Sequence, residues 1–174
     1  MIDFQQNHFQ LFGLPQRFRV DLALMEQAYR GIQSQVHPDR FVQASDAERR
    51  ASMQSATQVN EAYRTLKNPL ARARYLLALQ QIDVAGESNT AMPAEFLLKQ
   101  MQWRESVEQA AQQPQTLAAL AQRLAAEMNQ HYAELERRLD REGDYALAAE
   151  SVRKLMFLER LREEIGDALE RADA

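Results

Sequence analysis

His37-Pro38-Asp39 stands where one amphipathic helix must stop, between two segments whose helical periodicity makes them packing partners. Pro38 lacks the N–H that a helix interior needs and pushes His37 out of the α region, so the turn holds an imidazole and a carboxylate close together, both facing water. Upstream, Asp21 offers an N-cap, and Leu22, Met25, Tyr29, Ile32 and Val36 recur at three- and four-residue steps. Downstream, after a polar loop over residues 43–46, Ala56, Val59, Tyr63 and Leu66 form the answering stripe. The two helices are expected to lie antiparallel, with the tripeptide at their connecting end as a contact tip.

Upstream of Asp21, Phe4, His8 or Phe9, and Leu11-Phe12 suggest a short first helix, ended by Gly13-Leu14-Pro15. Asn68-Pro69 stops the second long helix and starts another, with asparagine as cap and proline in the first turn; it runs through Leu79. Residues 82–92 lose periodicity, gain turn formers around Gly86, and are expected to be a linker. Three further helices follow, roughly 93–112, 115–141 and 144–172, separated by the breakers Pro114 and Gly143. Leu117, Leu120, Leu124, Met128, Leu135 and Leu139 form the inward seam of the middle one. No strand pattern occurs. The expected fold is all-α: a helical hairpin domain over residues 1–81, a linker over 82–92 and an antiparallel three-helix bundle over 93–174.

The composition narrows the function classes. The 174 residues are 45% hydrophobic with five glycines and five prolines, as in an ordered, helix-rich protein. There are no cysteines, so the chain has no thiolates for a disulfide framework, a thiolate metal site or iron–sulfur ligation. No apolar run approaches a bilayer span, and Met1-Ile2-Asp3-Phe4 has neither the basic start of a signal peptide nor transit-peptide character, so a cytoplasmic protein is expected. Net charge is −4 and unevenly spread: up to Tyr75 there are 10 basic and 7 acidic residues, and afterwards 11 and 18. Such asymmetry suits two surfaces with different partners or simply a highly charged helical exterior, and the acidic balance disfavours nucleic acid. His8, His37 and His131 lie on different elements without metal-ligand spacing, and His37 with Asp39 has no nucleophile or oxyanion donor nearby, so neither a metal site nor an enzyme is expected.

A helical wheel of residues 96–111, at about 100° per residue, gives two apolar faces. Phe96, Trp103, Val107 and Ala110 suit the bundle core, whereas Leu97, Leu98 and Met101 lie across the opposite side with Glu105 and Glu108. On the last helix Ala148, Leu155, Leu158, Ile165 and Leu169 form the inward stripe, and Phe157 projects roughly 120° from its centre. Leucine, methionine and phenylalanine rimmed by glutamate have the composition of a protein-binding patch. The alternative is that these residues pack on the N-terminal domain or in a wider core.

The run Phe9-Gln10-Leu11-Phe12-Gly13-Leu14-Pro15, the helix ending at His37-Pro38-Asp39, and the run from Asn60-Glu61-Ala62-Tyr63 to Asn68-Pro69 together resemble a J-domain. With Leu70-Ala71-Arg72-Ala73-Arg74-Tyr75-Leu76-Leu77 and Ser151-Val152-Arg153-Lys154-Leu155-Met156-Phe157-Leu158, the whole chain resembles the HscB-type J-domain co-chaperones of iron–sulfur cluster assembly. The resemblance implies that the first domain engages an HscA-type ATPase chaperone of the DnaK class, through His37, Pro38 and Asp39 with Arg30 and Arg40. It implies that the bundle delivers the cluster scaffold IscU, through Leu97, Leu98, Met101, Glu105 and Phe157, with Gln102 where an acidic residue is expected. On this reading the protein stimulates a partner's ATPase, catalyses nothing itself and carries no cofactor. Only Arg30 and Arg40 are basic near the tip, against the lysine-lined helix of many general J-domains, which implies weaker charge steering and a more selective partnership. A general J-protein and a helical adaptor with other clients are the alternatives.

Overall fold

The computed structural model describes residues 5–41, 44–84 and 92–172 and is helical, with no strand among them. Among the described residues seven α-helices follow one another: α1 (His8–Leu11), α2 (Leu22–Val36), α3 (Asp46–Lys67), α4 (Pro69–Leu79), α5 (Ala94–Ala110), α6 (Pro114–Arg137) and α7 (Tyr145–Ala172). A 3₁₀ turn over Pro38–Phe41 follows α2, and a π-helical turn over Arg138–Glu142 follows α6. The chain divides into two compact units, Met1–Leu76 and Leu77–Ala174. Phe4, residue 43 of the expected loop and residues 85–91 of the expected linker lie outside the described residues.

In the first unit, side-chain caps decide where the helices begin. Asp21 Oδ1 accepts the N–H groups of Ala23 and Leu24, each at 3.0 Å, so two donors left over by the first turn of α2 are satisfied. Ser45 and Glu48 close a capping box on α3: the Ser45 N–H donates to Glu48 Oε2 at 2.9 Å and the Glu48 N–H to Ser45 Oγ at 3.3 Å. Asn68 both ends α3 and caps α4, accepting the Ala71 N–H on its side-chain oxygen at 2.9 Å. Gly13, at φ +64°, gives the chain the left-handed turn that ends α1.

α3 packs against α1, α2 and the 3₁₀ turn. Met25 from α2 and Val59 and Leu66 from α3 are buried, as the two stripes predict, whereas Ala56 is half-buried and Ala62, outside the expected stripe, is buried beside them. Tyr29 and Tyr63 bridge the helices as half-buried stacked rings 4.1 Å apart, and the Tyr29 hydroxyl donates to Asn60 Oδ1 at 2.9 Å. His8 stacks on Tyr75 at 4.1 Å, and its backbone N–H donates to the Tyr75 hydroxyl, so α1 is fixed to α4. One expectation fails: Leu22 is 51% exposed, although it lies on the inward stripe of α2. Periodicity reveals that a face is apolar, but not how far the covering helix reaches along it.

The second unit is the expected three-helix bundle, with α6 against both α5 and α7. Leu117, Leu120, Leu124, Met128 and Leu135 are buried along α6 and face the buried Ala148, Val152, Leu155, Leu158, Leu161 and Ile165 of α7. Pro114 occupies the first turn of α6, where its missing N–H costs nothing. At the other end the π-helical turn leaves Leu139 only half-buried, and Gly143 at φ +66° ends it. There Arg138 donates to the Leu147 carbonyl at 2.9 Å and to the Ser151 hydroxyl, clipping the π-helical turn to the start of α7. No helix among the described residues is long and apolar enough to cross a membrane.

Candidate functional site

The tip follows from the chemistry of its proline. His37 is held at φ −60°, ψ 129°, outside the helical region, and Pro38 opens the 3₁₀ turn. The His37 Nδ1 accepts the Asp39 backbone N–H at 3.3 Å and stands 3.6 Å from Asp39 Oδ2. Both side chains are open to solvent, 52% exposed for His37 and 85% for Asp39. The imidazole and carboxylate are therefore neighbours at an accessible corner, as the sequence implies.

What holds that corner was not visible in the sequence. The Ser52 hydroxyl of α3 donates to the Val36 carbonyl at 2.7 Å, satisfying an acceptor that the end of α2 would otherwise leave unpaired. Arg40, exposed, reaches back to donate to the Ser34 carbonyl at 3.1 Å. Arg30 is also exposed, but its guanidinium is 2.6 Å from Glu26 one turn earlier. The hydrogen bond from Arg30 holds the Glu26 carboxyl below the ordinary carboxylate range, and Lys67 adds to the effect in the same direction. Of the two basic residues, Arg30 is thus ion-paired and Arg40 is hydrogen-bonded to a backbone carbonyl.

The patch on the bundle also takes the form read from the wheel. Phe96, Trp103 and Ala110 of α5 are buried and Val107 is half-buried, while Leu97, Leu98 and Met101 are 48%, 61% and 68% exposed. Gln102, Glu105 and Glu108 are exposed beside them. Phe157 does not stand free: it is half-buried and meets Phe96 edge-on, with ring centres 5.8 Å apart and an interplanar angle of 86°. Arg104 approaches the same ring, its guanidinium carbon 6.0 Å from the centre. The angular position of Arg104 on α5 does not encode this contact, because it does not show where a long cationic side chain lies.

On the side of α6 facing α5 and α7, Glu127 pairs with Lys99 at 2.7 Å, and His131 lies 3.8 Å from Glu127 and 3.9 Å from Glu134. Burial pushes the His131 imidazole below its ordinary value, and the two carboxylates oppose that shift more weakly. Among the described residues no group of three or more His, Cys, Asp or Glu side chains is arranged to hold a metal ion.

A family model described as "HSCB C-terminal oligomerisation domain" matches residues 92–166. A curated relative named "Co-chaperone protein HscB homolog" from Aromatoleum aromaticum is 53% identical over 171 residues, covering 97% of each chain. Its namesake from Paraburkholderia phymatum is 49% identical, covering 99% of each. Among solved structures, the chaperone HscB from Vibrio cholerae superposes with a TM-score of 0.85 at 34% identity, covering 96% of this chain and 99% of that one. The crystal structure of human co-chaperone protein HscB gives 0.91 at 28% identity, covering 99% and 86%.

Proposed function

The chain belongs to the HscB family of J-type co-chaperones of iron–sulfur assembly, and from that premise we propose that a J-domain and a helical bundle serve two partners. The J-domain, over residues 1–81, engages an HscA- or DnaK-class ATPase chaperone in the cytoplasm. The bundle, over residues 93–174, carries an IscU-type cluster scaffold to that chaperone, with residues 82–92 between them. The protein hydrolyses nothing; it raises ATP turnover on its partner.

The observation that carries this function is the pairing of an exposed His37 and Asp39 on a turn whose flanks are tied back by Ser52 and Arg40. A ligand shifts a conformational equilibrium only by its affinity difference between the two states, so the corner must bind one conformation of the chaperone better than the other. Asp39, with its carboxylate open to water, offers a charged acceptor to a basic group on the partner. Pro38 fixes the spacing, and Arg30 and Arg40 lie beside the contact. On the bundle, Leu97, Leu98 and Met101 supply an adaptable apolar surface, Glu105 a charged rim and Phe157 an aromatic anchor for the scaffold.

The test measures ATP turnover by the chaperone, with and without the scaffold. His37→Gln abolishes stimulation while circular dichroism and thermal unfolding stay nearly unchanged; stimulation retained by this variant rejects the role of the tip. Joint replacement of Leu97, Met101 and Phe157 by alanine weakens scaffold binding and leaves scaffold-independent stimulation in place. Capture of unfolded polypeptides as readily as of the scaffold would instead mark a general J-protein.

A further inference from the structure

Arg104 falls into the exposed stripe of α5. At about 100° per residue it lies within one narrow sector with Leu97, Met101 and Glu108, two turns beyond Leu97. Its guanidinium nevertheless extends to another helix, with its carbon 6.0 Å from the centre of the Phe157 ring on α7. The second neighbour of that ring is Phe96, which meets it edge-on at 5.8 Å. Lys154, one turn earlier on α7, stands 5.8 Å from the Phe96 ring and is paired with Glu150 at 2.6 Å. Two cations and two aromatic rings thus form a continuous row linking the patch on α5 to Lys154 on α7.

A half-buried phenylalanine at a helix surface has more than one staggered side-chain orientation open to it. Phe96 limits the ring from the core side, and a cation near the π system favours the orientation that keeps the two together. We infer that Arg104 is a positioning residue: its guanidinium holds the Phe157 ring in line with Leu97 and Met101, so that α5 and α7 present one surface to the scaffold. The inference rests on the scaffold-binding role proposed above for that patch. Part of the ordering cost of binding is thereby met before the partner arrives.

A double-mutant cycle tests it, using calorimetric titration of the full chain with an apo IscU-type scaffold. Arg104→Met keeps the aliphatic stem and removes the charge, and Arg104→Lys keeps a charge. Arg104→Met is expected to weaken binding about two- to fivefold, the range set by an exposed cation–π contact. Arg104→Lys recovers most of that loss. In a Phe157→Ala background, Arg104→Met has no further effect, and in the free protein the Phe157 ring resonances of Arg104→Met move or broaden while the melting temperature holds. Wild-type affinity for Arg104→Met overturns the inference, and so does an equal loss in both backgrounds, which means that Arg104 touches the scaffold itself. The Leu97, Met101 and Phe157 triple-alanine variant in the same series separates the two claims. If it binds like wild type, the patch is not the scaffold site; if it alone loses affinity, only the role of Arg104 falls.

Discussion

The Ser52 hydroxyl and the Val36 carbonyl, 2.7 Å apart, join α3 to the last turn of α2 one residue before the His37 ring. Ser52 is buried, so removing its hydroxyl leaves a carbonyl at the helix end without its partner. Ser52→Ala is expected to cost about 1–2 kcal/mol in urea-induced unfolding. It should also lower the stimulation of chaperone ATP turnover, although Ser52 lies behind the tip and not on its exposed corner. Unchanged stability and stimulation would show that the tip keeps its geometry without this tether.

The ion pair between Glu26 and Arg30 sits on the helix that leads to the tip. Glu26→Gln releases the guanidinium and makes this face of α2 more positive by one charge. If the chaperone presents acidic groups to α2, association should accelerate and its salt dependence steepen, because exposed charges act mainly on encounter rates. Stopped-flow association at low and high salt measures both. Rates identical to wild type at every salt concentration would remove Arg30 from the encounter surface.

Burial lowers the imidazoles of His131 and His8 below the ordinary value of 6.5. The unfolded chain therefore binds protons more readily than the folded one in the window just below pH 6.5. The stability contributed by these two neutral rings is complete above that pH and is lost as pH falls through their folded values. Urea unfolding should show a plateau above pH 6.5 and a decline below it. Glu48, held low by hydrogen bonds from Ser45, and Glu26 add their losses only further down, beneath the ordinary glutamate value of 4.5. His131→Gln should flatten the upper part of the decline.

Leucines on opposite faces of the bundle give a contrast at fixed chemistry. Leu124→Ala empties a fully buried site on α6 and is expected to cost about 2–5 kcal/mol. Leu98→Ala on the exposed face of α5 should change stability by no more than about 0.5 kcal/mol. Thermal unfolding of both variants checks this. A large loss for Leu98→Ala would mean that the residue supports the fold, which the expected scaffold contact does not require.

The features legible in the sequence were those set by local chemistry. Asp21 and Asn68 marked helix starts because their short side chains satisfy backbone donors within three residues, and Pro38 marked a stop because it has no N–H to give. The two faces of α5 were legible because periodicity in one helix needs no knowledge of its neighbours. The tethers Ser52 to Val36 and Arg40 to Ser34, the Arg104 contact with Phe157 and the clip from Arg138 to Ser151 were not legible. Each depends on where a long or hydroxylated side chain lands after folding, and no spacing rule encodes that. The π-helical turn escaped for a related reason, since α6 simply reads as helix to its end.

Because Arg40 and Ser52 hold the corner down from both sides, the backbone freedom of the turn that carries the imidazole and carboxylate is surrendered when the chain folds, not when it meets the ATPase. Recruitment should then behave as a collision between preformed shapes: single-exponential, governed by viscosity and ionic strength, with no slow isomerisation contributed from this side of the encounter.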